Sequence, residues 1–317
     1  MPMLTRREYL KLTAGAAGAL GFQSRLSWAQ EDGPILTGTI PSSGEQLPMV
    51  GLGSSATFRR LADAGETTAI REVIQALLDG GGTVFDTAPS YGSAEAVAGK
   101  VVNELKVEDR VFWATKLNVA GRGGARADPE KAWAQLETSI TRLGREPVDL
   151  IQVHNLADMP TQFKILQELK ARERVRYIGV TSTFKPQYDA LETILTKEPL
   201  DFVGIDYAVD NRDAENKLLP IARERGIAVM VYLPFGRTRL WQRVANRTVP
   251  EWAAEFGVRT WAQFFLKFAA SHPAITVVTP ATSKVTHMLD NMAAARGRLP
   301  DEAERQRMVA YVDALPA

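Results

Sequence analysis

Three short segments in the first half of the chain each place a proton-handling side chain just beyond an apolar, β-rich run. They are Phe85-Asp86-Thr87-Ala88-Pro89-Ser90-Tyr91-Gly92, Ala114-Thr115-Lys116 and Gln152-Val153-His154-Asn155. Together they supply an acid, a phenol, an amine and an imidazole. A tyrosine with a pKa near ~10 is a poor acid at neutral pH unless a nearby cation stabilises its phenolate. Lys116 is suited to be that cation, Asp86 to hold and neutralise the lysine, and His154 to orient a carbonyl oxygen beside Tyr91. Each residue alone also has an ordinary reading. Asp86 would cap the next helix, Tyr91 would pack, Lys116 would be solvated, and His154, one of three histidines, would be structural. The combination points to proton transfer at a carbonyl.

Such a set works only if the elements bring it to one place. After the first thirty residues, apolar runs alternate with helical stretches. Thr37–Ile40 and Gln46–Met49 flank Pro41-Ser42-Ser43-Gly44 and read as a hairpin. The repeating strands are Met49–Gly53, Thr83–Thr87, Val111–Leu117, Val148–His154, Arg176–Thr181, Asp201–Tyr207, Ala228–Leu233 and Ala274–Thr279. Several are almost continuously apolar, as parallel strands covered on both faces are.

The helices expected between them are Glu66–Asp79, Ser93–Leu105, Asp128 to Gly144, Gln162–Arg172, Pro186–Thr196, Asp213 to Gly226, Pro250 to Ala270 and Val285–Ala295, with Asp301–Ala314 as a terminal helix outside the repeat. The fold expected is a (β/α)8 TIM barrel with an N-terminal β-hairpin and a C-terminal helix. A doubly wound open sheet is the rival, but Gly51-Leu52-Gly53 lacks the third glycine of a dinucleotide-binding turn. In a barrel the chemistry sits beyond the C-terminal strand ends, where the four residues fall.

Composition narrows the function classes. With 38 Lys and Arg against 37 Asp and Glu, the chain has no electrostatic footprint for nucleic acid and no polybasic membrane patch. The absence of cysteine excludes disulfides, iron–sulfur clusters and a thiol nucleophile, and no metal site is expected. The N-terminus has a basic segment, Thr5-Arg6-Arg7-Glu8-Tyr9-Leu10-Lys11, then a Gly- and Ala-rich run to Phe22 and small residues before Gln30. These are the parts of an export signal, and the arginine pair resembles a twin-arginine signal. Residues 1–29 are expected to be a cleaved leader recognised by the twin-arginine export machinery. Residues 30–317 are then a single exported, periplasmic domain without a stable membrane anchor.

The segment Gly81-Gly82-Thr83-Val84-Phe85-Asp86-Thr87-Ala88-Pro89-Ser90-Tyr91-Gly92-Ser93-Ala94-Glu95 closely resembles the signature of the aldo-keto reductases. Ala114-Thr115-Lys116 and Asp149-Leu150-Ile151-Gln152-Val153-His154 match that family's next two motifs in order. The resemblance runs from about Leu47 to Asn291. It implies a barrel that binds a nicotinamide cofactor without a Rossmann motif. Tyr91 would be the general acid, tuned by Lys116 and Asp86, with His154 placing a small carbonyl substrate.

The same resemblance implies cofactor contacts. Tyr232, followed by Pro234 and Gly236, looks like the family's nicotinamide-stacking segment. Thr181 and Ser182 stand where the family usually has serine and asparagine for the carboxamide, and Gly204 stands where glutamine is usual. Thr282, Ser283, Lys284, His287, Asp290 and Asn291 align with the segment that holds the adenosine phosphate and adenine. The family often has Lys and Arg at the positions of Ala281 and His287. NADP(H) is the cofactor implied, with NAD(H) as the alternative. Phe58, Trp113 and Trp241 are candidate pocket walls that would serve equally as core. Selectivity is expected from the loops after strands one, four and seven. The activity expected is NAD(P)H-dependent reduction of aldehydes or ketones. The alternative is a cofactor-bound redox sensor or partner subunit with little turnover.

Overall fold

The computed structural model describes residues 33–120 and 125–316. The expected leader lies outside the described residues. One compact unit spans Ile35–Ala317.

Strands β1 (Thr37–Thr39) and β2 (Gln46–Pro48) form an antiparallel hairpin in which Gly38 faces Leu47. Eight further strands form one parallel sheet: β3 (Leu52–Gly53), β4 (Val84–Asp86), β5 (Phe112–Leu117), β6 (Val148–Val153), β7 (Val175–Ser182), β8 (Phe202–Asp206), β9 (Ala228–Tyr232) and β10 (Ile275–Val278). Neighbours in the sheet are neighbours in sequence. The two ends then meet. The Gly51 N–H donates to the Val278 carbonyl at 2.9 Å, the Val278 N–H to Met49 at 2.8 Å, and the Gly53 N–H to Pro280 at 3.0 Å. These bonds close the sheet into the expected barrel and exclude the open doubly wound rival.

Alternation along each strand sorts the side chains. Val84, Ala114, Leu150, Tyr177, Phe202, Met230 and Val277 pack together inside the barrel, joined by Ile40 and Leu47 from the hairpin. The hairpin therefore plugs the end where the strands begin. It approaches so closely that a Cβ on Gly38 would stand 2.2 Å from the Thr276 carbonyl oxygen, so only glycine fits. The opposite faces of the strands pack against the helices in a second, larger core.

The helices are α1 (Thr57–Asp63), α2 (Thr67–Asp79), α3 (Ala94–Leu105), α4 (Pro129–Leu143), α5 (Met159–Ala171) and α6 (Tyr188–Lys197). They continue with α7 (Leu218–Glu224), α8 (Arg239–Arg243), α9 (Trp261–Ala270), α10 (Val285–Ala293) and α11 (Glu302–Asp313). Asp128 caps α4 by accepting the Glu130 and Lys131 N–H groups, Pro129 opens it, and Gly144 ends it at φ 65°. The stretch expected as one helix from Pro250 to Ala270 is instead divided. A 3-10 turn over Glu251–Phe256 ends at Gly257, φ 75°, and α9 begins afresh with Thr260 accepting the Gln263 N–H. Likewise Asp213–Asn216 is a 3-10 turn separated from α7 at Lys217.

Helix α11 packs outside the repeat, as expected, and starts with a reciprocal Asp301–Glu304 capping box. It is fastened by Arg305, which is 5% exposed. That guanidinium donates to the Phe268 carbonyl at 2.6 Å, to the Tyr207 hydroxyl at 2.8 Å and to the Glu215 carboxylate at 2.8 Å.

Candidate active site

The strand parity that fills the barrel interior with apolar side chains also sets what stands at its open end. Two residues beyond Val84 on β4 is Asp86, and two beyond Ala114 on β5 is Lys116. Two beyond Leu150 on β6 is Gln152, with His154 just past the strand. Two beyond Phe202 on β8 is Gly204, and two beyond Met230 on β9 is Tyr232. The register puts Lys116 opposite Gln152 and Asp86 opposite Ala114, so the strands are staggered around the mouth, as in a closed barrel. Position on a strand has turned a hydrophobic stack into a polar tier.

Within that tier the Lys116 ammonium donates to Asp86 Oδ1 at 2.7 Å and to the Thr87 carbonyl at 2.7 Å. The two side chains are 1% and 4% exposed. An ammonium has three N–H groups, so one remains for a third partner. Lys116 Nζ lies 5.3 Å from the centre of the Tyr91 ring and 5.2 Å from that of Tyr232. The Tyr91 and His154 rings meet edge to face at 6.0 Å.

Burial raises the Asp86 carboxyl and, by itself, would lower Lys116. The adjacent carboxylate more than restores the ammonium, which ends above the ordinary lysine value. Burial also raises the Tyr91 phenol, opposed by the positive charge of Lys116. The arrangement is thus a protonated phenol beside a permanent buried cation.

Tyr91 is held from outside the barrel by residues that sequence reasoning missed. The next residue, Gly92, turns at φ 56° directly against Asp63 of α1, and a Cβ there would stand 2.2 Å from Asp63 Oδ1. Asp63 accepts the Ser93 N–H at 2.8 Å and is braced by Arg59 at 3.1 Å. On the other side Glu95, 1% exposed, accepts the Thr115 hydroxyl at 2.6 Å and pairs with Arg142 at 3.3 Å. The glutamate thereby anchors β5 next to Lys116.

Asp86, Tyr91, Lys116 and His154 all line one cleft of about 390 Å³, within the range of small-molecule sites. Thr181, Tyr232 and Pro234 line it too. Asn155, Thr183, Phe235 and Arg237, which were not singled out in the sequence, are among the other residues that line it. Their common signal was position in a loop after a strand. Leu233 and Arg237 have φ of 54° and 61°, and Asn155 one of 58°. Left-handed backbone at non-glycine residues costs energy and gathers where structure serves a site.

Other expected residues stand elsewhere. Ser182 is fully buried and turned into its own loop, donating to Gln187 Oε1 at 2.7 Å and accepting the Phe184 N–H. Gly236 shapes the loop after β9 at φ 55° without lining the cleft. Thr282, Ser283, Lys284 and His287 lie at and within the start of α10, next to Ala281, which does reach the cleft. Lys284 and His287 are exposed. Asp290 accepts the Thr260 hydroxyl at 3.0 Å and the Gln263 amide at 2.7 Å, tying α10 to α9. Asn291 is buried at 2% exposure.

Of the two readings open for Phe58 and Trp113, pocket wall or core, the structure shows core. Both are fully buried in a chain of edge contacts through Phe85, at 5.2 and 5.0 Å, on the helix side of the sheet. Residues one step out of phase with Asp86 and Lys116 must face the helices. Trp241 packs on Phe235 at 5.0 Å and so backs the cleft rather than lining it. No group of three or more metal-ligating side chains occurs among the described residues.

Comparison with known proteins gives a consistent picture. The sequence profile of the Aldo/keto reductase family matches residues 49–310. Aldo-keto reductase str7 of Strobilurus tenacellus is 27% identical over 265 residues, covering 73% of this chain and 77% of that protein. Aldo-keto reductase YhdN of Bacillus subtilis is 28% identical over 202 residues, 61% of this chain and 60% of the relative. Among solved structures, an aldo-keto reductase from Klebsiella pneumoniae in complex with NADP and acetate superposes with a TM-score of 0.72 at 23% identity, covering 88% of this chain and 96% of that one. The holo form of a Bacillus halodurans aldo-keto reductase gives 0.70 at 21% identity, with the same coverage.

Proposed function

The chain belongs to the aldo/keto reductase family, and from that premise we propose that it reduces the carbonyl of a small aldehyde or ketone to an alcohol with NADP(H). The observation that carries this reading is the convergence of Tyr91, Lys116, Asp86 and His154 on one cleft, with the lysine fixed as a buried cation. That complete set favours turnover over the sensor or partner-subunit alternative. A panel of small and aromatic aldehydes, assayed with NADPH and NADH in parallel, tests it by oxidation of the cofactor. Turnover is expected, and none with any member of the panel would overturn the reading.

The residues present fit a nicotinamide cofactor. Tyr232 lines the cleft together with Thr181 and Arg237, an aromatic residue beside two polar ones. Tyr232, Thr181 and Pro234 would hold the nicotinamide end. The bound cofactor supplies a hydride to the carbonyl carbon. Tyr91 donates its phenolic proton to the carbonyl oxygen, and His154, facing the Tyr91 ring, orients that oxygen. Lys116, with one N–H uncommitted, stabilises the phenolate left behind, while Asp86 balances the lysine's charge inside the barrel.

For the cofactor's 2′-phosphate, the exposed Lys284 is the fixed charge of the segment beside Ala281. NADP(H) is expected to bind only modestly better than NAD(H), with a preference that weakens in added salt. Lys284→Ala should erase most of the difference, and His287→Arg should enlarge it through bidentate contact. Titration of both cofactors by tryptophan fluorescence checks this. A strong preference untouched by Lys284→Ala would place the phosphate elsewhere.

Export in folded form through the twin-arginine route is part of the same proposal, supported by Arg6-Arg7 with Tyr9, Leu10 and Lys11 behind them. Changing Arg6 and Arg7 together to lysine keeps the charge but removes both planar guanidinium groups. Cell fractionation is expected to find full-length, folded protein retained in the cytoplasm. Unchanged delivery to the periplasm would argue for a different signal.

A further inference from the structure

Gly204 is one of the positions at which this chain leaves the pattern it resembles, and the structure shows what occupies the space. A Cβ at position 204 would stand 2.4 Å from Cε2 of Tyr232 and 2.9 Å from both its Cζ and its hydroxyl oxygen. No side chain larger than hydrogen is compatible with this pose. The ring lies directly over the glycine, and its hydroxyl reaches across the barrel to donate to Asp86 Oδ1 at 3.1 Å. That is the same oxygen that accepts Lys116. From β6, Gln152 Nε2 donates to the Tyr232 oxygen at 3.0 Å.

Gln152 is fully buried and does not line the cleft. Its Oε1 has no hydrogen-bond partner among the described residues. A buried amide with an unsatisfied oxygen is a poor choice for stability, because its desolvation goes uncompensated. The one hydrogen bond this side chain makes among the described residues is to Tyr232.

We propose that Gln152 and Gly204 are positioning residues of this site. Gly204 admits the Tyr232 ring, and Gln152 holds its hydroxyl on Asp86, so that the aromatic face of the cleft and the Lys116–Asp86 pair form one hydrogen-bonded unit. This rests on the carbonyl-reductase reading above and adds a coupling to it. Where the Tyr232 ring lies then depends on the charge of Asp86, and the force of that charge on Tyr91 depends on Tyr232. With the phenol donating, the carboxylate is partly satisfied. Without it, the buried carboxylate loses one of the donors that favour its charged form, and the balance of charge around Tyr91 changes with it.

The test compares the wild-type protein with Gln152→Leu and Gly204→Ala by thermal midpoint, NADPH affinity and kcat as a function of pH. Gln152→Leu removes the unpartnered oxygen and is expected to melt within ~2 °C of the wild type or above it. Its kcat should nevertheless fall roughly tenfold, with the alkaline limb of the reduction profile displaced from that of the wild type. Gly204→Ala should displace the ring by about an ångström, lowering kcat by roughly 100-fold and NADPH affinity by at least tenfold.

Variants with wild-type kcat, pH profile and affinity would overturn the proposal. So would a loss confined to thermal stability. A wild type that binds NADPH but reduces no carbonyl would overturn the functional reading instead. In that event NADPH affinity alone decides the proposal: a tenfold loss in Gly204→Ala supports it and equal affinity overturns it. A wild type that binds no NADPH overturns both.

Discussion

Tyr91→Phe is expected to lower kcat for carbonyl reduction by at least ~10²–10⁴ while leaving cofactor affinity and thermal midpoint nearly unchanged. The phenylalanine keeps the ring in its edge-to-face contact with His154 and over Lys116, so packing survives. What it removes is the acidic proton next to the buried ammonium. The ionisation of Tyr91 also fixes a pH signature. Because burial raises this phenol despite Lys116, the acid form persists through neutral pH. Reduction should therefore be flat there and fall only on the alkaline side, as Tyr91 loses its proton. Oxidation of the alcohol needs the phenolate as base and should rise with pH over the same range. Steady-state kinetics in both directions check the sign.

Lys116→Met is expected to be comparably damaging and, unlike Tyr91→Phe, to cost stability as well. The substitution leaves Asp86, 4% exposed at its side chain, without its cation in the barrel. Breaking a buried pair from one side typically costs about 3–5 kcal/mol. In a domain of this size that lowers the melting temperature by roughly 10 °C. Activity should fall by at least ~10²–10³, because a preorganised charge that stabilises the developing phenolate is gone. The double variant Lys116→Met with Asp86→Asn separates the two effects. Replacing the stranded carboxylate should recover much of the melting temperature and none of the activity. Recovery of activity in the double variant would show that the lysine serves only to neutralise Asp86.

Much of this architecture was readable in the residues because the barrel's demands are local and periodic. Strands such as Phe112–Leu117 and Val148–Val153 are buried along their whole length, so each appears as a mostly apolar run interrupted by a few polar residues. Polar residues at the ends of such runs must gather at one mouth once the sheet closes, which is why Asp86, Tyr91, Lys116 and His154 were legible together. Short elements were not. Helix α1 has 7 residues and α8 has 5, too few to show a helical period. The division of the Pro250–Ala270 stretch depended on Gly257 adopting a left-handed turn, which an apolar pattern continuing on both sides conceals.

The supports of the site were hidden for a different reason. Asp63 meets Ser93 across 30 residues and Gln152 meets Tyr232 across 80, and no spacing rule links positions so far apart. Phe58 and Trp113 were left between pocket wall and core, and the structure places both in the core. Aromatic type suggested a pocket wall, whereas strand parity turns Trp113 to the helix layer. Gly204 was visible as a departure, but its consequence lies in the space its missing side chain leaves to Tyr232.

The central claim is that a hydride reaches a carbonyl carbon in the cleft where Tyr91 protonates the oxygen. Reduction of an aldehyde by the protein with NADPH deuterated at nicotinamide C4, followed by mass spectrometry of the alcohol, tests it most directly. The expected result is one deuterium on the former carbonyl carbon from one face of the cofactor, formed by the wild type and not by Tyr91→Phe. An alcohol without label, or labelled product formed equally well by Tyr91→Phe, would contradict the account.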